Sequence, residues 1–489
     1  MSARNGAKKL VLAVIDALSP LALERAVAEG RAPALAGLMR NGHYVDDCIS
    51  TFPSLTPVAA SAITTGLGPD EHLIPSMNWY HRGEERYVEY GSSFPATRAF
   101  GVLRSLQDTV YNMNLAHLAQ DRRTVFEQLD DADVRTAGTT YLIYRGRHRH
   151  EPAVSRYSKL AEAAQFRHPV WGPRELFYAD LFDSRNTGCS SILGMPGQRD
   201  RHAGCVGAHL VENDLFDFLL FSLPDNDTYS HREGPDKQPT SIAEADRALE
   251  RLFHAAGGID AFLEDHAVIV MSDHSQSQIE TTINLAAHLD GWKVLTPSDA
   301  APEDAEIAVC PGARSAMLYV LDAARREQVA PRLAKQLRAV EGVDLIIRRQ
   351  GDEGVVTRGR RELRFAPGGD LTDERGAAWS VEGDLATLDL TGFDGQLRAG
   401  NYPDALGRLW SAIACRRAGD VMLSATPGSE FVDWGGSHHR GGGSHGSLHR
   451  CDSHGVLLMC DVGPGPERST PWHLRDVTPM IADHFGITS

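Results

Sequence analysis

Leu10-Val-Leu-Ala-Val-Ile-Asp16 is the stretch on which the fold turns. Six apolar residues closed by a carboxylate read as a strand buried on both faces, the type found in parallel sheets. Ser19-Pro20 follows as an N-cap and a first-turn proline, predicting a helix to about Met39. Working outward, further buried strands are expected at Val134–Leu142, Phe216–Leu223, His266–Met271 and Asp420–Ser424. Helical patterns fall near Arg122–Leu129, Ser241–Ala256, Ala323–Val340, Ala405–Ala414 and Val477–Phe485. Strands alternating with helices predict an α/β sheet with helices on both faces. Residues 70–120 and 145–205, rich in Pro, Gly, Arg and aromatics, read as long loops or small insertions over one end of the sheet. A longer interruption has its own signals at Ala316–Leu321 and Val343–Arg348, with hairpins and turns in Gly351–Gly383. The expected division is a core of residues 1–280 and 430–489, with 281–429 a smaller inserted α/β cap.

Across 489 residues, 65 Asp and Glu against 49 Lys and Arg give a net charge of −16. That balance argues against a nucleic-acid polymer as partner, because such binding draws on Lys and Arg to neutralise phosphates. A small phosphorylated substrate stays compatible, since bound cations can reverse the local field. Seven cysteines without a CxxC pair read as reduced thiols rather than a disulfide framework. The apolar run after Lys8-Lys9 is too short for a secretion signal and ends in Asp16. No stretch approaches the roughly 20 apolar residues of a membrane span. A cytoplasmic protein with no membrane partner is expected; the sequence leaves the oligomeric state open.

Reactive groups in open α/β sheets collect at the carboxyl ends of strands. Asp16 ends the first strand, Asp227 lies just past Phe216–Leu223, and Asp273-His274 closes His266–Met271. Three carboxylates at neighbouring strand ends repel one another unless cations sit between them. His231 stands four residues after Asp227, His274 follows Asp273, and a Gly-rich loop supplies His445. Each of these alone has a bland reading as a cap, a turn or a solvated loop residue. Together they suggest mixed carboxylate and imidazole ligation, which suits Zn best, with Mn or Fe as alternatives. In Thr51-Phe-Pro-Ser-Leu-Thr56-Pro57, the proline fits the first helical position and makes Thr56 the expected N-cap. A hydroxyl there faces free backbone N–H groups, a setting that favours phosphate, and beside a divalent cation it becomes a competent nucleophile.

With these residues in view, the chain resembles the alkaline-phosphatase superfamily, in its type I phosphodiesterase and nucleotide pyrophosphatase branch. The resemblance rests on Asp16, Phe52-Pro53-Ser54-Leu55-Thr56-Pro57, Thr65-Gly66, Asp227-Thr-Tyr-Ser-His231 with Gly234-Pro235, Ser272-Asp273-His274 and Ser444-His445-Gly446, in that order. It implies an alkaline-phosphatase-like core, a mostly parallel sheet sandwiched by helices. It also implies a dinuclear zinc site, with Asp227, His231 and His445 on one metal and Asp16, Asp273, His274 and the Thr56 oxygen on the other. The implied reaction is hydrolysis of phosphodiester or nucleotide pyrophosphate bonds through a phosphothreonine at Thr56. Phosphomonoesterase or phosphonate hydrolase activity on the same site is the alternative. A non-catalytic metal-binding sensor is the reading from a different class, although such descendants commonly lose ligands that this chain retains.

The family places an Asn near this point to hold a phosphoryl oxygen; here Asn78, in Glu71-His72-Leu-Ile-Pro-Ser-Met77-Asn78-Trp79-Tyr80, comes about one position late. Arg145 and Arg147 form a basic island that could hold the terminal oxygens of a monoester through bidentate contacts, or could be a solvated loop. Trp79, Tyr80 and Trp434 could line a slot for an aromatic leaving group.

Overall fold

The first apolar run forms β1 (Lys9–Ile15) in the computed structural model, which describes residues 6–153, 168–297, 305–465 and 468–487. It lies inside an eight-stranded sheet with β2 (His43–Ile49), β3 (Thr136–Gly138), β4 (Glu175–Tyr178), β5 (Phe182–Asp183), β6 (Phe218–Leu223), β7 (His266–Met271) and β8 (His454–Cys460). The spatial order is β2-β8-β7-β1-β6-β3-β4-β5. The five strands from β7 to β4 run parallel, while β8 is antiparallel to both β7 and β2. Side chains alternate across a strand, so β1 buries Leu10, Leu12 and Val14 on one face and Val11, Ala13 and Ile15 on the other. Helices Pro20–Ala28, Pro33–Asn41, Arg199–Glu212 and Gln238–Ala255 cover the Val11 face. Helices Thr56–Thr65, Val125–Asp131 and Val477–His484 cover the Leu10 face. The α/β class and the mostly parallel sheet are as the sequence predicts.

Several element boundaries differ from expectation. The helix expected to reach Met39 breaks in two, because Gly30 takes a left-handed turn (φ 68°) and Pro33 opens a new helix. The strand expected over Val134–Leu142 keeps only Thr136–Gly138, so residues 139–142 leave the sheet. Within 145–205, helix Arg199–Glu212 begins where loop was expected. The strand near Asp420–Ser424 forms as Val421–Ala425 but pairs in a different sheet. That second, ten-stranded sheet draws all its strands from Val294 to Ala425. One of its hairpins, Ile307–Gly312 into Ser315–Val320, reaches the loop that carries His445: the Arg314 backbone N–H donates to the His445 carbonyl at 2.8 Å.

The cysteine expectation is corrected. Cys189 and Cys205 are joined as a disulfide, with Cα atoms 6.0 Å apart, and the other five are free. The pairing withdraws the support that cysteine usage lent to a reducing compartment. Among the described residues no helix is long and apolar enough to cross a membrane.

Candidate active site

Strand register brings the site together. Ile15 pairs with Leu223 and Val14 with Met271, so the residues that follow β1, β6 and β7 emerge side by side at one end of the sheet. Asp16 comes directly off β1. After β6 the chain enters a helix, Asp225–Glu233, which carries Asp227 in its first turn and His231 one turn later on the same face. After β7 come Ser272, Asp273 and His274. His445 sits beyond the short strand Gly443–Ser444, which is fastened antiparallel to Ser277–Gln278.

Asp227, His231 and His445 form one group, and Asp16, Asp227 and His274 form another. Within each, the atoms able to bind a metal all lie within 4.8 Å of one another. Asp273 joins the second group through its Oδ2, 3.3 Å from the His274 Nε2. The Thr56 hydroxyl lies 3.2 Å from the same nitrogen. Thr56 is the first residue of helix Thr56–Thr65 rather than its N-cap, a place taken by Leu55. Its side chain is therefore not spent on capping and turns toward the carboxylates.

The imidazoles are oriented in one way. His231 Nδ1 donates to the Gly443 carbonyl at 2.8 Å, His274 Nδ1 to the Ser275 carbonyl at 3.2 Å, and His445 Nδ1 to the Ser54 carbonyl at 2.8 Å. Each Nδ1 thus carries the proton, and each Nε2 presents a lone pair to the carboxylates, 3.3 to 3.6 Å away. Burial lowers all three histidines to about 4, so they stand neutral. Burial, then the neighbouring Asp273 and Asp227, pushes Asp16 well above the usual carboxylate range; burial takes Asp273 to about 6. Asp16 Oδ1 and Asp273 Oδ2 are buried without a hydrogen-bond donor. Orphaned carboxylate oxygens facing neutral imidazole lone pairs fit divalent cations, which satisfy both at once.

The family model for type I phosphodiesterase / nucleotide pyrophosphatase matches residues 10–448. The chain belongs to that family. It is accordingly a hydrolase. Solved structures of similar fold include the phosphonoacetate hydrolase of Sinorhizobium meliloti 1021 in complex with phosphonoformate, at 15% identity and a TM-score of 0.58 over 99% of each chain. Murine ectonucleotide pyrophosphatase / phosphodiesterase 5 superposes at 12% identity and a TM-score of 0.57, over 98% of this chain and 96% of that one. The human protein of the same name stands at 13% identity and 0.55, over 99% and 96%. Comparison with curated protein sequences finds no match.

In this type I phosphodiesterase family member a cavity of about 380 Å³ opens over Asp16, Thr56, Asp227, His231, Asp273 and His445. Three expected substrate contacts are missing from its walls. Asn78 is buried and its amide donates to the Pro311 carbonyl of the second sheet; the neighbouring Met77 faces the cavity instead. Arg145 is held behind the site by Glu127 at 3.2 Å and by the carbonyls of Ala119 and Arg122. Arg147 pairs with Asp131 at 2.9 Å and Glu127 at 3.1 Å. Local carboxylates capture both arginines, which a sequence reading of the basic island alone does not weigh. Trp79, Tyr80 and Trp434 are also outside the lining; Trp79 donates to Tyr90 and Trp434 to the Val309 carbonyl. Arg147→Ala is expected to leave kcat/KM within about twofold. Arg145→Ala is expected to lower unfolding free energy by about 3 kcal/mol, because it removes a buried cation from Glu127 and leaves the Ala119 and Arg122 carbonyls without its N–H donors. Steady-state kinetics and urea titration of the two variants check this.

The walls instead include Met77, Tyr141, Tyr178, Arg199 and His439. Arg199 donates to Asp225 at 2.8 Å and to Thr228 at 2.7 Å. His439 lies against His231, ring centroids 4.0 Å apart and planes tilted by 31°, and meets Glu430 at 3.0 Å, which raises its pKa against the effect of burial. Tyr141 had a usable signal: it follows a strand of the parallel sheet, where reactive groups gather. Reading that strand on to Leu142 concealed it. His439 had a weak one, its place in the histidine cluster His438, His439, His449 and His454 around His445, which reads as readily as solvated; Arg199 had none, being brought in by a helix whose course is tertiary.

Proposed function

We propose that this hydrolase cleaves phosphodiester or nucleotide pyrophosphate bonds of small phosphorylated substrates, with Thr56 as nucleophile. The observation that carries the reading is the convergence of the Thr56 hydroxyl, three carboxylates and three imidazoles whose free nitrogens all point inward. Asp227, His231 and His445 would hold one cation, and Asp16, Asp273, His274 and the Thr56 oxygen a second; the mixed N and O donor set suits Zn. Bound there, such a pair would supply Lewis acidity and offset the charge of the phosphoryl group.

The chain's own residues then do the rest. At the start of helix Thr56–Thr65, Pro57 has no N–H and those of Val58 and Ala59 donate to the Leu55 carbonyl, so the helix contributes its positive end and presents the Thr56 hydroxyl to the cavity. Attack forms the Thr56 O–P bond as the bond to the leaving oxygen breaks, and water later cleaves the phosphothreonine ester. The solved neighbours with phosphonoformate and with AMP bound are consistent with a small ligand of this class. Residues 281–429 are read as a cap that shapes substrate choice, since their hairpin backs the His445 loop.

A diester is favoured over a monoester because neither Arg145 nor Arg147 reaches the cavity, and Arg199 is already engaged by Asp225. The zinc-loaded enzyme should show a higher kcat/KM on bis-p-nitrophenyl phosphate than on p-nitrophenyl phosphate. The reverse preference would keep the site and move the function to phosphomonoesterase.

A further inference from the structure

A phosphodiester carries one negative charge over two non-bridging oxygens, and a site that binds it gains from a neutral donor placed at one of them. The amide expected in that role is committed elsewhere: Asn78 donates to Pro311, and the residue facing the cavity, Met77, has no proton to give. The other donors around the cavity are largely spent. Tyr90 meets His117 at 2.8 Å, Ser93 donates to Asp433 at 2.6 Å, Arg199 serves Asp225 and Thr228, and Ser92 gives its backbone N–H to Glu89 while its hydroxyl is left without a partner. Tyr141 stands among the ligand carboxylates. It lines the cavity with Asp16, Thr56 and Asp273, it is only 7% exposed, and its hydroxyl is buried without any partner. A buried hydroxyl that makes no hydrogen bond costs about 1–3 kcal/mol, and a ligand oxygen that accepts from it recovers that cost.

We propose that the Tyr141 hydroxyl donates to a non-bridging phosphoryl oxygen of the substrate, replacing the amide that Asn78 turns away. The inference rests on the phosphodiesterase reading and deepens it, because a neutral donor matches a singly charged diester better than a doubly charged monoester. A phenol ordinarily keeps its proton up to about pH 10, so it is a donor at neutral pH. Its ring belongs to the hydrophobic core of that face, so the Phe variant keeps the packing and removes only the hydroxyl.

The test compares zinc-loaded wild type with Tyr141→Phe on bis-p-nitrophenyl phosphate and on the separate Rp and Sp diastereomers of a p-nitrophenyl nucleoside phosphorothioate. Elemental analysis and circular dichroism run alongside. The expected result is a fall in kcat/KM of about 10- to 100-fold, the range of one hydrogen bond to a charged group, with zinc content and fold unchanged. The Rp/Sp ratio should also shift by about fivefold or more, because sulfur at the contacted position is a poor acceptor only while the hydroxyl is there. Unchanged kinetics would overturn the proposal, as would a loss of rate with an unaltered Rp/Sp ratio, which would mark a purely structural role. Wild type inert on every diester would instead sink the phosphodiesterase reading itself, and this inference with it.

Discussion

Thr56→Ala is expected to lower kcat/KM on bis-p-nitrophenyl phosphate by about three orders of magnitude or more, with zinc content and fold retained. The size follows from losing the only step that forms the covalent ester; removal of a nucleophile elsewhere costs about 10⁴- to 10⁶-fold. The fold should survive because Thr56 carries little structural load. Leu55, not Thr56, is the N-cap of helix Thr56–Thr65, and the hydroxyl gives up its 3.2 Å approach to His274. Alanine is also the better helix former at that position. Kinetics with elemental analysis and a melting curve decide the matter. Turnover near the wild-type value would remove Thr56 from the mechanism, whatever the metals do.

Asp227→Asn should have the second largest effect, and on a different quantity. Asp227 is common to both groups of ligand-capable atoms, so the cation it would hold with His231 and His445 lies beside the second. The amide keeps the shape but loses the charge, and fewer than two equivalents of zinc are expected to remain after supplementation, with activity down by about 10³-fold. The stability change should reverse sign with metal. Without zinc, Asp227 adds to the crowding that raises Asp16 and Asp273, so the variant should melt no lower than wild type. With zinc, wild type gains binding free energy that the variant lacks, and should melt higher. Thermal melts with zinc and with chelator read both signs. Two full equivalents of zinc in the variant would contradict the placement of Asp227 among the ligands.

Leu10–Ile15 and His266–Met271 were legible as buried strands because a strand covered on both faces must be apolar at nearly every position. A carboxylate or histidine at the end of such a run stands out, and Asp16, Asp227 and Asp273-His274 were found in that way. His445, in a glycine-rich loop, stood out only through the order of motifs. Boundaries were harder. A single left-handed glycine split the first helix, and the strand His454–Cys460 was missed although its residues are apolar.

By itself, then, the sequence determined the parallel sheet and the residues at its carboxyl ends, since burial and the strand-end rule act through local patterning. Which donors line the cavity was decided by tertiary structure alone. Arg145 and Arg147 look available in the chain, but Glu127 and Asp131, 16 to 20 residues away, take them. Asn78 is claimed by Pro311 of the second sheet, 233 residues on. A charged or polar side chain goes to whichever partner desolvation leaves nearest, and that partner is known only once distant segments have packed.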